Sequence, residues 1–547
     1  MRLRLNFWTI VAILTWGLLA VLLFEPVGSV LITSLFDKDG NFTLANYGTF
    51  FSQWRFAQSF FNTLVVGFGA LAGALVLGCT MAFCVSRFTI AGSRFLSLLS
   101  ILALVSPPFI GAYSWIVLFG AGGVVRGALR DFGINMPPIY GLGGILMVFA
   151  LKFYPYVYLM VSGALGNVNR SLEEAAEGLG LTPWQRVFKI SLPMVFPAIS
   201  ASALLVFVLA IADFGTPRLL GRGYSVLATE AFAAYSAEIG SNFSMGTTIS
   251  VVLIFVSLVF VALQRYMSRR NVYHGNLINK PTRIRLKGWR NVLAHVVVYA
   301  IGLCGAMPVI VSVYYSFRKT NGPVFQDGFA LQSYERILFN LADVVTNSLT
   351  FSLVAVLLIV AAGTIVGVLV ARRTSLNTSL LDAAFMIPYV MPGIVIGIAY
   401  IAAFNTGPVV LTGTAAIIIL SIFIRRLPYT VRTTATALRQ IAPSLEEAAV
   451  SLGYSPFRSF LKITVPLIVP GIIAGGMLSF VTAINELSSS LVLYVGSTMT
   501  MPVRIYLLVL DGDFGTAAAM SSILLLLSGL AVYIAFRFMG RNEQALL

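Results

Sequence analysis

The side chains best placed to do chemistry in this sequence are charged residues set inside apolar runs, and they occur in pairs. Lys152 and Arg425 lie 273 positions apart, near the middle of two apolar stretches, with Arg426 beside the second. Asp213 and Glu486 are separated by the same 273, each at the end of a further apolar stretch, with Asn485 next to the second. A charge at hydrocarbon depth is expensive and is a functional candidate by default. Two uses are open to these residues: they face a pathway between the two halves of the chain and handle a polar solute, or they form internal ion pairs that fix helix rotation.

Bond-making chemistry is poorly supplied. Cys79, Cys84 and Cys304 sit in apolar surroundings without metal or redox spacing and read as packing residues. His274 and His295, the two histidines, lie around a central basic stretch and give no histidine-based metal centre. The sequence contains no GxxxxGK[ST] phosphate loop, so it does not bind ATP in the P-loop manner and any energy comes from another subunit. Asp-Phe-Gly occurs at Asp131, Asp213 and Asp513 without a kinase catalytic-loop signature, near predicted helix ends. No catalytic residue and no metal ligand is assigned.

The elements that position these charges are membrane helices. Hydrophobic residues make up 58% of the 547 and charged residues 10%, with a mean hydropathy of +0.91. Apolar runs of about 20 residues, enough to cross about 30 Å of hydrocarbon, recur along the chain. They lack the alternation of barrel strands, and helices satisfy their own backbone, so an all-α membrane protein is expected. The first run, Phe7 to Ile32, has no small-residue cleavage site and reads as a retained helix. Others follow at about Asn62 to Val85, Phe95 to Leu118 around Pro107-Pro108, Gly141 to Leu165, the stretch ending near Phe214, and Phe243 to Tyr266.

This order then repeats. Asn62-Thr63-Leu64 matches Asn347-Ser348-Leu349, Arg87 matches Arg372 and Pro107 matches Pro392, each at an offset of 285. From Pro155 and Pro428 onward the offset is 273, so the first half carries 12 extra residues before its fourth helix. The reading is two parallel six-helix repeats, about twelve spans in all, with halves 1–266 and 292–547 joined by a basic linker 267–291. GxxxG pairs such as Gly69/Gly73 and Gly393/Gly397 read as helix packing.

Between the fourth and fifth helices of each half lies a polar loop, SLEEAAEGLGLTPWQRVFKISLP at 171–193 and SLEEAAVSLGYSPFRSFLKITVP at 444–466. Ser171 with Glu174, and Ser444 with Glu447, fit capping boxes. Gly180 and Gly453 suit the left-handed position that closes a helix. Thr182-Pro183 and Ser455-Pro456 look like an N-cap followed by a first-turn proline, opening a second short helix. Small Ala175, Ala176, Ala448 and Ala449 allow close approach of a partner. Each copy is thus a polar helix-turn-helix between apolar stretches.

The net charge of +16 does not point to nucleic acid, because of where it falls. The side holding the two loops collects most of the Arg and Lys, which is the positive-inside bias and puts both loops and both termini in the cytoplasm. The stretch Gln264 to Arg290, with Lys280, Arg283, Arg285, Lys287 and Arg290, reads as a solvated linker obeying that bias. A lipid-headgroup or regulatory patch is the alternative.

The pattern Glu-Ala-Ala, Gly, Ile-x-x-Pro at Glu174 to Pro193 and Glu447 to Pro466 resembles the cytoplasmic coupling loop of binding-protein-dependent ABC importer permeases. The resemblance implies a type I ABC importer transmembrane fold. It also implies that Glu173, Glu174, Ala175, Ala176, Gly180 and Pro193, with Glu446, Glu447, Ala448, Ala449, Gly453 and Pro466, engage two separate ATPase subunits that hold ATP and Mg. An external substrate-binding protein is the third component, membrane lipid surrounds the chain, and no cofactor is bound by the chain itself. The stretches Ala212 to Gly221 and Asn485 to Tyr494 resemble fused two-half permeases of the ferric-iron uptake type in the inner membrane. The same subgroup is similar to permeases for phosphonates, sugar phosphates, thiamine and polyamines, and paired cations suit an anionic solute by Coulomb sign. A secondary transporter with parallel repeats is the alternative class.

Overall fold

A computed structural model describes residues 7–36, 40–168, 170–236, 243–268, 283–372, 375–442 and 444–539. His274, Lys280 and most of the linker expected at 267–291 lie outside the described residues. Ten of the described helices are long and apolar enough to cross a membrane, and the bent pair Asn377–Val390 and Gly393–Phe404 gives an eleventh span. The helix Ala415–Arg439 occupies the place of the remaining expected span; Arg425, Arg426, Arg432 and Arg439 make it less apolar than its 25-residue counterpart Leu142–Gly166.

Prolines set where these helices break and widen. Pro107 and Pro108 have no N–H, and the run expected to be one helix is two, Ser93–Val105 and Pro108–Phe119. In the second half the matching break at Pro392 bends the pair by 106°. Three π turns, Ala20–Phe24, Val187–Ser191 and Phe460–Thr464, each stand two residues ahead of a proline: Pro26, Pro193 and Pro466. A proline cannot donate to the carbonyl four residues back and its ring crowds that carbonyl; the wider turn relieves both. At Pro26 the carbonyl so released is that of Leu22, and the Tyr400 hydroxyl donates to it at 2.9 Å.

The segment that carries the 12 extra residues of the first half contains an eight-residue helix, Val124–Asp131, whereas its counterpart Asn405 to Thr414 has none. An element absent from the sequence reading is an antiparallel hairpin, Arg318–Asn321 with Val324–Phe329, turning at Gly322 with φ +58°. Its first strand, Arg-Lys-Thr-Asn, carries no apolar alternation, so nothing in the pattern announced a strand.

The described chain packs as two units. One takes the described residues within Met1–Gly48, Ala231–Val251 and Leu331–Asn542; the other takes those within Thr49–Glu230 and Val252–Ala330. The first span of each repeat half therefore packs with helices of the other half, so packing cuts the chain elsewhere than the repeat does. In the second unit Gly69, Gly73 and Gly78 of Trp54–Arg87 lie against Leu146, Ala150 and Val157 of Leu142–Gly166. A Cβ at Gly73 would stand 2.7 Å from that of Ala150, too close to tolerate. In the first unit Gly363 and Gly367 of Ala342–Arg372 meet Thr430 and Thr434 of Ala415–Arg439 in the same way.

Candidate functional site

The two repeated loops fold alike. The first has a helix Arg170–Gly178, then Pro183–Arg186, then the π turn that leads into Leu192–Ala212. The second has Ser444–Ser451, Pro456–Ser459 and its π turn into Val465–Ile484. The first helix starts at Arg170, two residues before the Leu172 start that a Ser171 cap requires, and Ser444 is likewise already helical. The closing turns are as expected and more specific. Gly180, at φ +78°, donates to Glu177 O at 2.9 Å while Leu181 donates to Ala176 O at 3.0 Å. Gly453, at φ +92°, donates to Val450 O at 3.0 Å while Tyr454 donates to Ala449 O at 3.1 Å. This is the Schellman closure, which needs a residue free to adopt positive φ.

The second short helices are capped as well. Thr182 Oγ1 accepts from Gln185 N at 3.4 Å and Thr182 N donates to Gln185 Oε1 at 2.9 Å, a reciprocal box. Ser455 Oγ accepts from Arg458 N at 3.4 Å. The first copy is further pinned by Arg186 Nη1 to Glu177 Oε2 at 2.6 Å, whereas the second carries Val450 at the matching position. Ala176 and Ala449 are buried inside their own loops, and Ala175, Ala448, Glu174 and Glu447 are exposed. The side chains of Glu173 and Glu446 lie outside the described residues. Three apolar positions are exposed in both copies: Leu172 and Leu445, Leu179 and Leu452 at 81% and 82%, and Phe188 and Leu461.

The intramembrane charges are engaged differently in each half. In the first unit both Glu486 oxygens take Arg425 Nη1 at 2.6 Å, Oε2 also accepts from Arg426, and Oε1 accepts from Ser489 N at 3.2 Å. Two guanidiniums on one carboxylate leave a net positive charge on a nearly enclosed cluster. Asn485 Nδ2 donates to Val481 O at 2.8 Å and Ser528 Oγ at 3.2 Å. In the second unit the Lys152 ammonium donates to Ala103 O at 2.8 Å, Leu104 O at 2.9 Å and Ser106 O. Those carbonyls end the helix that Pro107 and Pro108 interrupt, so the lysine satisfies acceptors the prolines left without donors. Asp213 Oδ1 accepts from Thr216 N at 2.8 Å, capping the helix Gly215–Leu220 as Glu486 does Ser488–Leu493. Asp513 caps Phe514–Met539 through Thr516 N at 3.2 Å, so two of the three Asp-Phe-Gly triplets are helix starts.

One repeated pair escaped the sequence reading as a contact. Asn62 Nδ2 donates to Ser225 O at 2.8 Å and Thr63 Oγ1 accepts from Leu227 N at 2.8 Å. Asn347 Nδ2 donates to Ser497 O at 3.0 Å and Ser348 Oγ accepts from Met501 N at 2.6 Å. The repeated Asn-Thr/Ser was the available signal; its partners, 150 or more residues away, were not.

Ten to eleven membrane-length helices among the described residues, with a duplicated loop capped alike in both copies, define a multi-pass membrane permease built as two fused halves. The chain belongs to the family of binding-protein-dependent transport system inner membrane components, whose pattern it matches at residues 74–273 and again at 339–543. It is 28% identical to the ferric transport system permease protein FbpB of Actinobacillus pleuropneumoniae, over 82% of this chain and 66% of that protein. It is 27% identical to a putative ferric transport system permease protein FbpB 1 of Haemophilus influenzae, over 88% of this chain and 77% of that one. A putative 2-aminoethylphosphonate transport system permease protein PhnU of Salmonella typhi is 26% identical over 49% of this chain and 93% of its own length. Among solved structures, a bacterial alginate ABC transporter chain covers 49% of this chain at 20% identity and TM-score 0.40, with 96% of that chain matched.

Proposed function

We propose that this chain is the permease of an ATP-driven importer that takes ferric iron from an external binding protein. The observation that carries the reading is the duplicated loop, closed by the same backbone bonds and exposing the same three apolar positions in both copies. Exposed apolar side chains recurring at the same positions of two polar loops suit a docking surface. Seating each copy in a groove on one of two ATPase subunits buries them, at about 2 kcal/mol for each leucine. ATP and Mg belong to those subunits, and this chain has the transmitting role rather than the hydrolytic one. The loops and both termini face the cytoplasm, the binding protein docks on the opposite side, and lipid surrounds the spans. Lys152, Asp213, Arg425, Asn485 and Glu486 shape the translocation pathway. Iron is favoured by the two ferric permeases that match most of the chain.

A second cargo is favoured by one feature: the Arg425, Arg426, Glu486 cluster is net positive and suits an anionic organic solute such as a phosphonate. Reconstitution in vesicles with the ATPase subunits and the cognate binding protein separates the readings. Iron accumulation that requires ATP supports the proposal. Uptake of a phosphonate or sugar phosphate without iron changes the cargo, and uptake on an ion gradient without ATP removes the ATP-driven class.

A further inference from the structure

The segment 283–290 is not a loose tether. Ile284 N donates to Arg87 O at 2.7 Å and Thr89 N donates to Ile284 O at 3.1 Å, so the segment lies as a parallel bridge beside Phe88 at the end of the helix Trp54–Arg87. The start of Trp289–Ser316 is held to the same loop. His295 Nε2 accepts from Ala91 N at 3.0 Å and the Tyr299 hydroxyl donates to Ala91 O at 2.9 Å. On this fixed frame Arg283, Arg285, Lys287 and Arg290 are all exposed, as is Arg94 three residues beyond Ala91. Trp289 is 70% exposed, the Arg290 guanidinium lies 5.9 Å from its ring centre, and Phe95, Val292 and Val296 are exposed beside them.

Neither stretch offers a neutralising carboxylate. No Asp or Glu occurs between Glu238 and Asp327, or between Asp39 and Asp131. Fixed cations, an exposed tryptophan and aliphatic side chains at the mouth of a membrane span match the boundary between headgroups and acyl chains. We propose that this surface is a binding site for anionic phospholipid headgroups. Arg87, whose carbonyl holds Ile284, also donates from Nη2 to Ser191 Oγ at 3.1 Å, in the π turn that ends the first repeated loop. Lipid bound at 283–290 therefore braces the base of that loop. This last step rests on the transport reading above; the binding site itself does not.

The test uses the full chain in nanodiscs of phosphatidylcholine with and without phosphatidylglycerol, and the triple variant Arg285→Gln, Lys287→Gln, Arg290→Gln. Retained lipid is counted by native mass spectrometry. Each basic side chain near an anionic surface contributes about fivefold in affinity, so the triple variant should lose about a hundredfold. The wild-type chain should keep phosphatidylglycerol adducts that the variant loses, with thermal unfolding unchanged in phosphatidylcholine. In vesicles with the ATPase, energised uptake should rise with phosphatidylglycerol for the wild type only. Equal phosphatidylglycerol retention by both chains overturns the proposal. So does a response to soluble inorganic polyphosphate in neutral lipid with none to phosphatidylglycerol. Lost adducts with unaltered uptake keep the site and remove its link to the loop.

Discussion

Glu486 holds two arginines in a nearly dry setting, and removing it leaves both without a carboxylate. Breaking a buried ion pair from one side costs about 3–5 kcal/mol, whereas deleting a surface pair costs little. Glu486→Ala should therefore lower the thermal unfolding midpoint clearly in detergent, while Arg186→Ala, which breaks the exposed pair with Glu177, should scarcely move it. Similar midpoints for the two variants would mean that the cluster is not the buried counter-ion set described here. Equivalence of Lys152 with Arg425, and of Asp213 with Glu486, was legible because a fixed offset needs no contact information. What each charge does was not. Lys152 turns to the carbonyls stranded by Pro107-Pro108, some 45 positions upstream, and only tertiary packing brings them together. The sequence displayed the stranded acceptors and the donor separately.

At the scale of the element, the repeated loops rest on turn geometry. Gly180 and Gly453 have positive φ, where a Cβ costs about 1–2 kcal/mol, while Gly178 sits in helical geometry with open space around it. Gly453→Ala should weaken its closure by about that amount, and Gly178→Ala should strengthen its helix by about 0.5–1 kcal/mol. Hydrogen exchange of the Leu181 and Tyr454 amides reads this directly: faster at Tyr454 in the first variant, no faster at Leu181 in the second. The same direction in both would contradict the closure described. Helix, glycine stop and proline restart could be read locally because caps are short-range chemistry. The π turns could not, since their cause is a proline that ordinary helix starts also tolerate. The hairpin at Arg318 was equally silent, having no apolar alternation to show.

For the whole molecule, the repeat was visible in the spacing of a few polar residues, but the exchange of first spans was not. Apolar helices of similar composition carry no mark of which neighbour they bury against, and glycine contacts such as Gly73 on Ala150 emerge only once helices are paired. From the sequence about twelve spans are expected; ten to eleven of the described helices are long and apolar enough to cross, and the arginines of Ala415–Arg439 keep that helix below the same apolarity. What joins these features into a machine is the claim that both loops carry work from outside the chain to the helices that follow them. The most direct measurement is ATP-driven uptake by vesicles bearing the permease, its ATPase and its binding protein, with Leu179→Asp and Leu452→Asp introduced together. Each change puts a charge on a side chain more than 80% exposed, so folding should be intact by thermal unfolding. The expected result is an assembled permease whose uptake is lost and whose ATPase no longer co-purifies. Uptake at the unmodified rate, with both loops so altered, would contradict the account.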